Sequence, residues 1–202
     1  MLGISDYWAF VAAVLVFLAL PGPGTFALLT ATGKGGFRAG VAATLGLIVG
    51  DQVLMWLAAA GVAAVLQANE ALFKGLQYVG AAYLVWVGLK LLIARGGAAG
   101  PIPMRPGHYA RQGFLITLMN PKAIVFYMAF FPLFIDARTH QGVLTFAAMA
   151  ATIAALTLAY CLALCAFAVA IGERVRAHRR LSLLLQRAAG VALIGFGLRL
   201  AR

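Results

Sequence analysis

The sequence predicts an all-α integral membrane protein: six transmembrane helices in a 3+3 inverted repeat, with helices one and four broken. Composition is the first ground. Of 202 residues, 64% are hydrophobic and only 10% charged, with a mean hydropathy of +0.97, whereas typical soluble domains are about 25% charged. The second is length. A spanning helix needs about 20 mostly apolar residues, and such runs recur at 7–32, 39–66, 71–94, 113–135, 143–171 and 182–200. The third is the placement of charge. The net charge of +11 comes from basic residues that flank apolar segments, which is a topology signal rather than a nucleic-acid surface. No aromatic platforms interleave with those residues, so no nucleic-acid partner is expected.

The first span contains Pro21-Gly22-Pro23-Gly24. Each proline lacks an N–H and clashes with a continuing helix, and the glycines permit unusual backbone angles. In hydrocarbon, freed amides and carbonyls cost several kcal/mol each unless protein or a water-filled cavity satisfies them. This break is therefore expected to line something rather than face lipid. Met1 to Trp8 carries no Lys or Arg, unlike the basic start of a cleavable signal. The turn-like Gly33 to Arg38 precedes the second span, and a link with Asn69, Glu70 and Lys74 precedes the third. Gly96 to Arg111 is dense in glycine and proline and reads as the main loop. Span four is interrupted at Asn120-Pro121-Lys122 and ends near Pro132; Asp136 to Gln141 and the basic Gly172 to Arg180 join the remaining spans.

One transmembrane domain is expected, with pseudo-repeats 1–95 and 111–202 and a linker at 96–110. At an offset of 109, Leu84, Gly88, Leu89 and Leu91 match Leu193, Gly197, Leu198 and Leu200. At an offset of 100, Leu15, Leu18, Pro21 and Phe26 match Leu115, Leu118, Pro121 and Phe126. Three helices per half give the halves opposite orientations. One side gathers Lys34, Arg38, Lys90, Arg95, Arg105, Arg111 and the five arginines from Arg174 to Arg187; the other has Lys74, Arg138, Arg199 and Arg202. The richer side is expected to be cytoplasmic, which puts both termini outside the cytoplasm.

Three features break the hydrophobic rule: the Pro-Gly run, Asp51 and Asn120-Pro121-Lys122. At 1.5 Å of rise per residue, Pro21, Asp51 and Lys122 lie roughly 17, 18 and 14 Å from the cytoplasmic end, near the middle of a core about 30 Å thick. A lone charge there costs at least about 2.5–3.5 kcal/mol, so it is normally paired or in a water-filled cavity. One reading is a purely structural Asp51–Lys122 pair that joins two helices. The other is a zwitterion site. Asp51 would accept a substrate ammonium or a coupling proton, while Lys122, Asn120 and Pro121, with the break at Pro21, Gly22, Pro23, Gly24 and Thr25, would hold a carboxylate at helix N-termini.

Gly36, Gly40, Gly46 and Gly50 form a ladder that permits close helix packing and leaves a homodimer open. Phe126, Tyr127, Phe130, Phe131 and Phe134 read as core or lipid-facing residues. Cys161 and Cys165, four apart, read as packing residues. His108, His140 and His178 are unrelated in spacing, so no metal site or cofactor is expected. No Ser/His, His/Glu or Cys/His constellation falls at membrane depth, which argues against an intramembrane enzyme.

These motifs together resemble the LysE/RhtB family of amino-acid exporters. The matching residues are Pro21-Gly22-Pro23, the glycine ladder ending in Gly50-Asp51, Gly88, and Asn120-Pro121-Lys122 with Phe126, Pro132 and Phe134. The family pattern commonly has Gln between that last Pro and Phe, where this chain has Leu133. The resemblance covers essentially the whole chain. It implies a multi-pass carrier of the bacterial inner membrane that expels amino acids or close derivatives, driven by protons. No conspicuous second intramembrane acid is present for a cationic side chain, so a neutral or hydroxylated substrate is preferred. The alternatives are a structural or regulatory membrane subunit and a metal-cation exporter of the same superfamily.

Overall fold

The structure is a computed structural model of the chain and describes residues 3–20, 22–68, 70–93, 102–136, 139, 141–171, 191 and 194. Six helices are described: α1 (Tyr7–Ala19), α2 (Pro23–Ala68), α3 (Glu70–Ile93), α4 (Tyr109–Leu118), α5 (Pro121–Phe134) and α6 (Val143–Ile171). Two are long and apolar enough to cross a membrane, over Pro23–Val62 and Val143–Ala170. Counting α4 and α5 as one span bent by 62° makes three. The described residues contain no strand, only an isolated bridge between Ile4 and Ile135. Pro21, residues 96–101 of the main loop and nearly all of the expected sixth span lie outside the described residues, as does the second partner of every offset-109 match.

Several expected boundaries shift. The run read as span 7–32 is divided between α1 and the start of α2. The turn expected at 33–38 shrinks to a kink inside α2, where Gly35 has φ −128° and Gly36 φ +67°. Positive φ is open to Gly36 because it has no Cβ, so the chain reverses there without a loop. Helix α4 begins at Tyr109 rather than at 113; Arg111 and Gln112 lower the local hydropathy but do not stop a helix.

The interior divides into two clusters stacked along α2 and α6. One gathers Phe10 and Val14 of α1, Phe126, Phe130 and Phe134 of α5, Met55 and Val62 of α2, and Met149 and Ile153 of α6. The other gathers Leu28, Ala31, Ala43 and Leu47 of α2, Met104, and Cys161 and Cys165 of α6, with Tyr109 and Ile116 packed against it. Among the described helices, only α2 and α6 pass through both. Each cluster has its own half-length helices: α1 and α5 in the first, α4 and the start of α2 in the second. The chain breaks at 20–22 and 119–120 fall between them.

Helices α1 and α5 run antiparallel and are fastened at one end by the Ile4–Ile135 bridge, where Ser5 N–H donates to Phe134 O (3.0 Å) and Asp136 N–H to Gly3 O (3.3 Å). Between the two helices, Phe10 meets Phe130 and Phe134, each at 5.6 Å between ring centroids, and Phe17 stacks on Phe126 at 3.6 Å. The outside of the bundle is apolar, with Trp56, Leu57, Leu72, Val79, Trp86 and Phe167 exposed. Such a surface suits lipid and not water.

Candidate functional site

The site is built where the half-length helices end. Helix α1 starts on Asp6, whose carboxylate accepts from Ala9 N–H (2.9 Å), and ends at Leu20, whose N–H turns back to Phe17 O. Helix α2 begins at Pro23, where the missing N–H removes no helical bond, and Gly22 O accepts its first bond from Phe26 N–H (3.1 Å). The second break has a different chemistry. Asn120 is the N-cap of α5, its Oδ1 accepting from Lys122 N–H (3.1 Å), and Pro121 takes the first helical position.

Lys122 connects the two breaks. Its ammonium donates to Leu20 O (2.8 Å) and Phe17 O (3.3 Å) and lies 4.4 Å from the centroid of the Phe17 ring. A helix C-terminus presents unpaired carbonyls and partial negative charge, so α1 supplies the acceptors that let this cation sit inside the bundle. Gly22 makes room for it: a Cβ there would lie 3.4 Å from both Cδ and Nζ of Lys122.

Asp51 follows Gly50 on α2, between Leu47 of one cluster and Met55 of the other. The glycine ladder sets its helix against its neighbours. A Cβ on Gly50 would come within 2.7 Å of Thr117 Cβ, and one on Gly46 would collide with the Ala110 carbonyl of α4; one on Gly113 of α4 would come within 2.6 Å of Ala43 O. The half-buried Asp51 carboxylate feels the charge of Lys122 and is within hydrogen-bonding reach of the Tyr127 side chain. The direct partners of Lys122 are the α1 carbonyls rather than this carboxylate.

A cavity of about 70 Å³ lies at this level. Of the residues expected from sequence, Gly22, Gly24, Thr25, Asp51, Asn120 and Lys122 line it. Pro23 starts α2 without lining it and Pro121 opens α5, and Pro21 lies outside the described residues. Asp51 and Lys122, on different helices, thus meet in one space. Phe17, Leu18, Leu20, Leu28, Leu47 and Ala123 form apolar wall, and Thr117, Thr157, Tyr160 and Cys161 complete the described lining.

Sequence reasoning missed the contribution of α6, because that helix is apolar all round and gives no facing signal. It also placed Tyr127 with the phenylalanines. Its hydroxyl was the available signal, since a buried tyrosine usually finds a hydrogen-bond partner. Phe126, Phe130 and Phe134 are core residues, as read, and Cys161 and Cys165 are buried free thiols.

The LysE type translocator family model matches residues 15–202, nearly the full length of the chain. The chain belongs to the LysE type translocator family. Among the relatives of this translocator is an uncharacterized membrane protein of Pseudomonas aeruginosa, 34% identical, with 99% of this chain and 96% of that protein covered. Proteins named leucine efflux protein, from Salmonella typhimurium and from an Enterobacter species, are 33% and 34% identical, with 98% of this chain and 96% of each relative covered. No solved structure matches. The family makes the chain a translocator, and its long apolar helices suit a multi-pass membrane protein.

Proposed function

We propose that this translocator is a proton-coupled secondary exporter of neutral amino acids, with aliphatic side chains of the leucine type favoured. It works by alternating access in the bacterial inner membrane, with six spans in two oppositely oriented halves and both termini outside the cytoplasm. The observation that carries the reading is the cavity itself: one carboxylate and one ammonium share a space at two helix breaks, among apolar walls. A zwitterion with an aliphatic side chain has that pattern of charge. The names of the leucine efflux relatives point the same way.

In this scheme Asp51 receives either the substrate ammonium or a proton. Competition for one carboxylate couples their opposite movements, because proton binding removes the charge that holds the amine. The substrate carboxylate lies toward Lys122 and the starts of α2 and α5, where free N–H groups and helix dipoles favour an anion. Lys122 exchanges its bonds with the Leu20 and Phe17 carbonyls for that carboxylate. The cavity has to widen for this: about 70 Å³ holds about two waters at ~30 Å³ each, whereas ligand pockets run to about 300–1,000 Å³.

The bonds of Lys122 to the end of α1 also favour a second reading, in which the residue serves only to join helices. Among the described residues no three His, Cys, Asp or Glu side chains gather as a set of metal donors, the arrangement that the metal-cation alternative would favour. Efflux from proteoliposomes loaded with single labelled amino acids, with and without a pH gradient, tests the proposal. Gradient-stimulated leucine efflux is expected; none from a broad panel of amino acids overturns it. A double variant Asp51→Lys, Lys122→Asp that inserts normally and still transports would favour the structural reading. Single cysteines at residues 3 and 202 should both react with an impermeant thiol reagent added to intact spheroplasts.

A further inference from the structure

Helix α6 brings Thr157, Tyr160 and Cys161 to the cavity wall. Thr157 is only 2% exposed, and its Oγ1 has no hydrogen-bond partner among the described residues. Other helical threonines satisfy themselves on the carbonyl four residues earlier: Thr32 on Leu28 O (2.8 Å), Thr44 on Gly40 O (2.9 Å) and Thr152 on Ala148 O (2.8 Å). The same turn is open to Thr157 toward Ile153, and it is not used. Buried hydroxyls are nearly always paired, so this one is held for a polar group that enters the cavity.

The two ends of the cavity differ in what they ask of a partner. Around Lys122 the groups are donors: an ammonium and the first amides of two helices. On the Asp51 side the carboxylate accepts, and Thr157 lies on α6 between Ile153 and Cys161 as Asp51 lies on α2 between Met55 and Leu47, with Ile153 and Met55 in one cluster and Cys161 and Leu47 in the other. An ammonium has three N–H donors. A carboxylate at one side leaves at least one of them to a neutral acceptor, and a threonine oxygen has two acceptor lone pairs. We infer that Thr157 Oγ1 is a ligand of the substrate's α-ammonium and completes, with Asp51, the amine end of the site. This rests on the exporter reading above.

The test uses the full chain in proteoliposomes and compares wild type, Thr157→Val and Thr157→Ser. Valine keeps the shape and removes the hydroxyl; serine restores it. The competitor is 4-methylpentanoate, which has the carboxylate and side chain of leucine with hydrogen in place of its ammonium. Expected for Thr157→Val is a KM for leucine raised about tenfold, equivalent to about 1.4 kcal/mol, with the inhibition constant of the deaminated acid unchanged. Thr157→Ser should return to within about twofold of wild type, since its hydroxyl is equally able to accept. A Thr157→Val variant with wild-type KM overturns the inference and leaves the hydroxyl to cavity water. Leucine and the deaminated acid weakening together also overturn it, because the effect would then be on cavity shape. If Thr157→Val fails to fold, Thr157→Ala is read by the same criteria. A wild-type protein that moves no amino acid defeats the exporter reading and this inference with it; an active wild type beside an unchanged valine variant defeats this inference alone.

Discussion

Replacing Gly46 by alanine asks whether the contact between α2 and α4 is as close as the structure has it. The added Cβ would run into the Ala110 carbonyl, with the carbonyl carbon at 2.7 Å and the Ala110 Cα at 3.0 Å. These are backbone atoms of a helix, so no side-chain rotation relieves them. Bringing the carbonyl carbon out to an ordinary 3.4 Å requires the helices to part by at least about 0.7 Å, and the carbonyl oxygen, closer still, asks for more. A gap of ~0.5–1 Å forfeits a quarter to a half of each van der Waals well, here along the contacts of Gly50 with Thr117 and Gly113 with Ala43. Overpacking of this kind costs about 1–3 kcal/mol, and the rigidity of the obstacle points to the upper end. Alanine's better helix propensity returns about 1 kcal/mol, for a net loss of about 2 kcal/mol. Gly61, on the same helix with nothing within 4 Å of its missing Cβ, is the control: alanine there gains up to about 1 kcal/mol. Thermal unfolding in detergent, followed by the monodisperse fraction on size exclusion, should place Gly46→Ala below wild type and Gly61→Ala at or above it. A Gly46→Ala midpoint equal to or above wild type would refute the packing argument.

Other outcomes follow from the site. Lys122→Met removes two charge-assisted bonds to α1 worth about 1.5–3 kcal/mol each and should lower leucine efflux at least about tenfold, measured in the same vesicles. Under the proposed coupling, Asp51→Asn abolishes the stimulation of efflux by a pH gradient while leaving leucine–leucine exchange measurable; a variant that still responds to the gradient would remove Asp51 from the proton path. Asn120→Ala deletes the α5 cap and should lower stability by about 1 kcal/mol, with Asn120→Ser recovering most of it, as read by the thermal midpoint.

The parts of this site that could be read from sequence are those tied to backbone chemistry. Pro23 and Pro121 cannot continue a preceding helix, and both begin one. Counting helical rise was enough to bring Asp51 and Lys122 to one level, and they share one cavity. What escaped depends on rotation about a helix axis or on a choice of partner. The ladder of Gly46 and Gly50 announced a close approach, but nothing in it specified α4 as the neighbour. Lys122 read as a group waiting for an anion, because its attachment to the Leu20 and Phe17 carbonyls is decided by where its long side chain lands. Thr157 was invisible for a similar reason: on a helix apolar around its whole circumference, no pattern says which residue turns inward.

The division of the interior into two clusters has a consequence for leakage. A carrier must never leave an open path through the bilayer, and a single continuous core would have to be disrupted as a whole to let a solute in from either side. Here the Phe10–Phe130–Phe134 packing stands on one side of the cavity and the Leu28–Leu47–Cys165 packing on the other. Each is a plug with its own half-length helices, and among the described helices only α2 and α6 are common to both. Under the proposed alternating access one plug loosens while its counterpart stays tight, and the barrier to ions is carried by whichever end is closed.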